Sequence, residues 1–250
     1  MNTTTISFLS FFAILAAYYY FPLVGKRPWP FGLESSGYAN FNRGRLLLFF
    51  LMVLLTQFGL VVFSMVNKCH GSVGQNIGSA ALITLLPWTL IFGAMIVLLQ
   101  LYPSLKAPFS DVVGYYFVAN QADQLLKTLL TPSSSADASA AAIMKIFGDK
   151  SVLINKINPE NFETMWTTMA PLIPSDGQNQ KASLFNLIVM KDNVGEAMWY
   201  AYTGILVIAL VSYNLASRGC RRDLATVQAN YSAYLDSQKK DDEKKQEQQQ

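Results

Sequence analysis

Residues able to do chemistry are sparse in this 250-residue chain. Its one histidine, His70, follows Cys69, and Cys220 is the only other cysteine. A tetrahedral metal site draws on four ligands, and two adjacent ligand-type residues with no carboxylate cluster nearby cannot supply them. A histidine-centred acyltransferase, a zinc protease or a histidine-dependent hydrolase each requires a partner at fixed spacing, and none is present. Neither G-x-x-x-x-G-K-[ST] nor G-x-G-x-x-G occurs, so the usual phosphate cradles are missing. The formal charge of +3 is scattered rather than gathered in a basic stripe, which argues against direct nucleic-acid binding. The sequence therefore predicts no catalytic residue, no cofactor, no metal and no enzymatic activity. Two cysteines are too few for a disulfide framework.

The elements that would position any site are set by hydrophobicity. Charged residues make up 14% of the chain, against about 25% in an ordinary soluble domain. They are absent from Leu46 to Asn67, from Cys69 to Leu105 and from Ala197 to Ser217. A bilayer core about 30 Å thick takes roughly 20 apolar helical residues, and each gap holds one such stretch. A fourth runs from Ile6 to Val24. It lacks the basic leader and small-residue cleavage site of a secretory signal, and reads as a retained anchor. Its aromatic end, Tyr18 to Tyr20, suits the headgroup zone. The expected fold is all-α: about four transmembrane helices and a mainly helical loop domain, with both termini on one face.

The organisation follows. Residues 1–102 hold three spans with short loops. The loop from Gly25 to Arg45 is expected to be irregular because of its prolines and glycines, and Pro87 should interrupt the third span. Gly78, Ser79, Ala80, Ala81, Gly93 and Ala94 would permit close helix packing. Gln57, Gln100 and Asn214 are the strongest polar side chains in or near the spans. They suit interhelical hydrogen bonds or interface positions better than a pore, and the lack of charge argues against a coupled transporter.

Residues 103–196 form the extramembrane domain, with seven Lys against nine Asp or Glu. Ser110 is the expected N-cap of a helix to about Leu130, with Val113, Phe117, Leu125 and Leu129 among its apolar positions. Residues 131–137 read as a linker, and a helix is expected over 138–147 with Gly148 at its C-cap. The clearest helix start is NPENFETMWTTM, with Asn158 as cap and Pro159 at the first turn. Its stripe of Phe162, Met165, Trp166 and Met169 suits a domain core better than a docking face. A short helix over 182–190 should precede the last span, 197–217. Residues 218–250 comprise a basic collar of Arg218, Arg221 and Arg222, a short amphipathic stretch through Leu224, Val227, Tyr231 and Tyr234, and a solvated tail. Near the membrane Lys68, Arg218, Arg221 and Arg222 stand against Lys26, Arg27, Arg43, Arg45, Lys106 and Lys191, so the positive-inside rule leans only slightly towards a cytoplasmic large domain.

Two stretches resemble known proteins: LKAPFSDVVGYYFVANQADQLLKTLL, from Leu105 to Leu130, and DKSVLINKINPENFETMW, from Asp149 to Trp166. Both are similar to segments of virion membrane proteins of the large icosahedral double-stranded DNA viruses, such as the chlorella viruses. The family pattern is an aliphatic run into a helix after L-x-x-P-F-S, here Leu105 to Ser110, then L-I-N-x-I-x-P-E-N-F, here Leu153 to Phe162. The resemblance implies a component of the lipid layer beneath an icosahedral shell, tying minor capsid proteins to the membrane. It implies no cofactor and no catalytic residues, and a location in the virion's internal membrane, derived from the host endoplasmic reticulum. The expected partners are lipid and other capsid or membrane proteins, met through Arg43, Arg45, Arg218, Arg221 and Arg222, with a homo-oligomer also allowed. The competing readings are a cellular membrane adaptor and an oligomeric passive pore.

Overall fold

The computed structural model describes residues 3–21, 25–26, 35–69, 73–130, 145–146, 148–174, 177–217, 228 and 231–238. Every regular element among the described residues is helical. Four helices are long and apolar enough to cross a bilayer, at Thr3–Tyr20, Asn42–Lys68, Ile77–Leu101 and within Gly177–Ser217. The chain is thus an all-α membrane protein.

Helix α1 spans Thr3–Tyr20. Helix α2 spans Ser35–Cys69, so residues 35–45 are helical and not the irregular loop that their glycines suggested. The prolines of this loop all lie before residue 31, and an isolated glycine such as Gly37 costs a helix only about 1 kcal/mol. Helix α3, Val73–Pro87, passes into a π-helical turn, Trp88–Gly93, and then α4, Ala94–Leu101. Pro87 keeps helical dihedrals of −63° and −41°. Its missing N–H breaks the hydrogen-bond ladder, and the interruption takes the form of this wider turn.

Beyond the bilayer a 3₁₀ turn, Pro103–Lys106, leads through α5, Ala107–Phe109, and a π-turn, Ser110–Gly114, into α6, Tyr115–Leu129. Ser110 is not a cap. It has helical dihedrals inside this run, is buried, and its hydroxyl donates to the Lys191 carbonyl at 3.4 Å. The buried face carries Val118, Ala122, Leu126 and Leu129, while Phe117 is exposed. Of the expected apolar positions, Leu129 is buried in the extramembrane core and Leu125 packs partly buried against it, while Phe117 faces outward.

Helix α7, Ser151–Ile154, and α8, Phe162–Met169, follow, with 3₁₀ turns at Ala170–Leu172 and Gly177–Gln180. Helix α8 starts at Phe162 with Asn161 at its N-cap, so the expected cap at Asn158 and first turn at Pro159 lie before it. Asn158 closes the preceding turn: its Oδ1 accepts the Asn161 N–H at 2.8 Å, and Asn161 Oδ1 accepts the Asn158 N–H at 2.8 Å. The expected linker over 131–137 and most of the helix over 138–147 lie outside the described residues. Of the C-terminal stretch, residues 231–238 are helical, with Tyr231 and Tyr234 exposed; Leu224, Val227 and the tail lie outside the described residues.

The largest correction concerns the last helix. Helix α9 runs unbroken over Lys181–Ser217, 37 residues, joining the expected short helix to the expected span. The intervening KDNVGE is polar but contains no proline, and its charges are neutralised by other elements, so nothing ends the helix there. At 1.5 Å per residue α9 is about 55 Å long, nearly twice a bilayer core of about 30 Å.

Contacts at the helix ends establish the topology. At one end the Thr3 hydroxyl donates to Ser64 Oγ at 3.2 Å, and Lys68 Nζ donates to the final carbonyls of α9, Leu215 and Ala216, at 3.0 and 3.2 Å. At the other, Lys26 and Lys106 converge on Glu196. The spans therefore alternate in direction, and the start of α1 and the end of α9 share a face.

Two apolar cores result, and α9 serves both. The extramembrane core joins α6, α7 and α8 to the first half of α9, with Phe162, Trp166, Leu184 and Ile188 buried. In the bundle, Phe11, Tyr18, Phe49, Trp88, Phe92 and Tyr200 fill the centre. Tyr18 stacks on Phe49 at 4.5 Å, and Phe92 lies 5.1 Å from Trp88 and 5.8 Å from Tyr200. Gln57 is buried and donates to the Ser7 carbonyl at 3.0 Å and Ser10 Oγ at 3.1 Å. It therefore ties α2 to α1.

Lipid supplies little hydrophobic drive between helices, so close approach matters. Here it occurs at a glycine the sequence reading passed over. A Cβ at Gly204 would lie 2.2 Å from Phe11 Cζ, and that ring is held by Trp88 and Phe92. By contrast Gly78 has nothing within 4 Å of such an atom. We expect Gly204→Ala to destabilise the detergent-solubilised protein by about 1–3 kcal/mol through overpacking, and Gly78→Ala to be neutral or slightly stabilising. Thermal unfolding of the two variants side by side checks this, and equal melting temperatures would contradict it.

Candidate functional site

Asp192 and Glu196 stand one turn apart on α9, an i, i+4 pair of like charges that weakens an isolated helix. Two lysines from elsewhere remove the repulsion. Lys106 Nζ, at the end of the 3₁₀ turn after α4, lies 2.8 Å from Asp192 Oδ2 and 3.1 Å from Glu196 Oε2. Lys26 Nζ, in the segment after α1, lies 2.9 Å from Glu196 Oε1, which also accepts the Tyr19 hydroxyl at 3.1 Å. Glu196 is 1% exposed and Lys106 and Asp192 6% each, so these are desolvated charges. Two cations and two anions leave the cluster neutral.

Local backbone features hold the cluster in place. Gly25 lets the chain turn tightly after α1, because a Cβ there would sit 2.3 Å from the Tyr18 carbonyl oxygen. The Lys26 N–H donates to that carbonyl at 2.6 Å, and Arg45 Nη1 donates to the Gly25 carbonyl at 2.6 Å. On the other side, Gly195 and Gly114 let the 103–129 helical run lie against α9. A Cβ at Gly195 would be 2.7 Å from Ser110 Cβ, and one at Gly114 2.5 Å from the Lys191 carbonyl. Lys191 Nζ pairs with Asp111 Oδ1 at 2.9 Å, and the Trp199 indole N–H donates to the Leu105 carbonyl at 2.7 Å.

Burial alone would push the Lys106 ammonium down, but the Glu196 and Asp192 carboxylates outweigh it and hold its pKa above the ordinary lysine value. A raised pKa keeps the contribution of this group fully present below the ordinary lysine value, and it fades only as pH rises further. A change of pH around neutrality does not release it. With each carboxylate matched by an ammonium, the cluster is arranged as an electrostatic clasp rather than as an acid–base pair poised to exchange protons. Among the described residues, no three His, Cys, Asp or Glu side chains gather where a metal ion could bind.

Comparison with protein-family models, with characterised proteins and with solved structures finds no match to this chain. None of the three therefore bears on the resemblance carried by residues 105–130 and 149–166.

Of the sequence-predicted partner residues that the structure describes, Arg45 borders the clasp and Arg43 forms no part of it. Arg43 is exposed on α2, Arg45 is engaged with Gly25, and Arg218, Arg221 and Arg222 lie outside the described residues, as do His70 and Cys220. Sequence reasoning used Lys26, Lys106 and Lys191 only to weigh orientation, and passed over Asp192 and Glu196. A usable signal existed in the i, i+4 acidic pair directly abutting an uncharged span. Such a pair calls for cations from another element.

Proposed function

We propose that this chain is a structural, non-enzymatic, membrane-anchored assembly protein that links the internal lipid membrane of a virion to its capsid shell. The observation that carries the reading is α9, one helix that belongs to both cores and is clamped by the clasp where it leaves the bilayer. Subtracting a bilayer core of about 30 Å from its length leaves roughly 25 Å standing clear of the hydrocarbon. An anchor that sets the distance between a membrane and a shell requires such a stiff connection; a flexibly tethered domain would not fix that distance. The viral setting, the endoplasmic-reticulum-derived membrane and the capsid partners rest on the resemblance of residues 105–130 and 149–166 alone. Under this reading the extramembrane domain and the basic residues at 43, 218, 221 and 222 meet other virion proteins. The aromatic filling of the bundle, centred on Phe11, Phe49, Trp88 and Phe92, speaks against a channel through a single copy.

The test is fractionation of virions with a mild detergent. The chain is expected to remain with the capsid shell while bulk lipid is removed, and charge reversal at Arg43, at the end of the bundle that bears the extramembrane domain, to weaken that retention without preventing membrane insertion. Complete departure with the lipid would favour a membrane adaptor instead. Ion conductance by the reconstituted spans would favour the pore.

A further inference from the structure

Helices α1 and α9 run antiparallel and in contact where Phe11 meets Gly204 and Tyr19 meets Glu196. On one flank of that contact they part to leave an open groove of about 480 Å³, within the roughly 300–1,000 Å³ of small-molecule sites. Its α1 wall carries Phe12 and Ala16 and its α9 wall Met190, Val194 and Ala197, with Lys26 on the rim. Along α9 the lining extends from Ala197 to Asn186, about 16 Å at the helical rise, so the site is long rather than round. Phe12 is 40% exposed and Met190 42%.

We propose that this groove binds one bilayer phospholipid, with an acyl chain along the apolar walls and the glycerol-ester region at the Lys26 level. The occupant follows from position. The deep wall belongs to α1, a membrane span, so the groove is continuous with the lipid-facing surface and opens sideways to it. The shallow half lies beside residues of α9 that precede its span, where a lipid changes from hydrocarbon to polar. Asn186 and Asn193 line this half, two turns apart on α9, and neither carboxamide has a partner among the described residues. Lys26 spends its charge on Glu196 at 2.9 Å, and the clasp is neutral as a whole. The site therefore recognises the chain and ester region and does not select an anionic headgroup.

The full chain is reconstituted in phosphatidylcholine vesicles containing a trace of phosphatidylcholine with a mid-chain diazirine, illuminated, and its adducts mapped by peptide mass spectrometry. Labelling of the peptide bearing Phe12 and Ala16 should exceed labelling at Leu55 and Leu90, which are 65% and 63% exposed on other faces, by about fivefold, the preference that about 1 kcal/mol produces. Ala16→Trp and Val194→Trp fill the groove from opposite walls. Each should abolish the excess while labelling at Leu55 and Leu90 persists, which also reports that the variant is inserted. Phosphatidylglycerol with the same chain should label equally. Uniform labelling of the wild-type protein would overturn the proposal whatever the variants do. Persistence of the excess in both filled variants, or a tenfold preference for the anionic lipid, would overturn it as well.

Discussion

Glu196→Gln is expected to lower the stability of the solubilised protein by about 3–5 kcal/mol, or roughly 6–20 °C in Tm for a chain of this size. The substitution preserves volume and removes only charge. Lys106 keeps Asp192 at 2.8 Å, but Lys26, with a side chain 8% exposed, loses its anionic partner inside the protein. A buried ion pair need not stabilise relative to a well-packed apolar pair, yet removing one member is costly because the other stays desolvated. That asymmetry gives the prediction a control. Lys26→Met combined with Glu196→Gln removes both charges, leaves Lys106 with Asp192, and should recover much of the loss. A double-mutant cycle over Lys26 and Glu196 should give a coupling of about 1–3 kcal/mol. The surface pair Lys127–Asp123, at 2.7 Å with the Lys127 side chain 61% exposed, should give no measurable change in Tm when broken. If Glu196→Gln melts with the wild type, the clasp does not hold the two cores together, and the stiff-anchor reading loses its support.

Trp166→Ala is expected to cost about 3–5 kcal/mol. Trp166 is 6% exposed and lies 6.2 Å from the Phe162 ring, which meets Phe185 of α9 edge-on at 4.9 Å. Truncation leaves a cavity against α9 that the surrounding helices cannot close without losing other contacts. The full chain is the right material for the test, because α9 is common to both cores and a fragment of 103–196 would carry Asp192 and Glu196 without Lys26. Met165→Ala, partly buried against the same core, should cost less, and Thr167→Ala, exposed on the far side, little. An unchanged Tm for Trp166→Ala, together with loss of a binding partner, would make this stripe a docking face and not a core.

Much of the architecture was legible in the residues themselves. Runs of 20 or so uncharged, apolar residues leave a helix across lipid as the only way to satisfy their backbone groups, so the four spans and their alternation follow from composition along the chain. The turn at Asn158 was legible for the same local reason, since its side chain bonds within that turn, although the helix begins only at Phe162. Trp166 was placed on the right face because its helix is short and regular.

Other features were decided by contacts distant in sequence. The face of the 103–129 run turns on an irregular π-turn and on Gly114 and Gly195 meeting α9, so Phe117, read as one of its apolar positions, faces outward. KDNVGE reads locally as a polar joint between two helices. It is instead the centre of one helix, because Lys26 and Lys106 arrive from segments 170 and 90 residues away to neutralise Glu196. Gly204 looks like any glycine in a membrane span until Phe11 is brought against it. Local hydrophobicity and hydrogen bonding act over a few residues and could be read in order. The pairing of buried charges depends on which distant side chains the fold places within about 3 Å, and that distance exists only in the folded molecule.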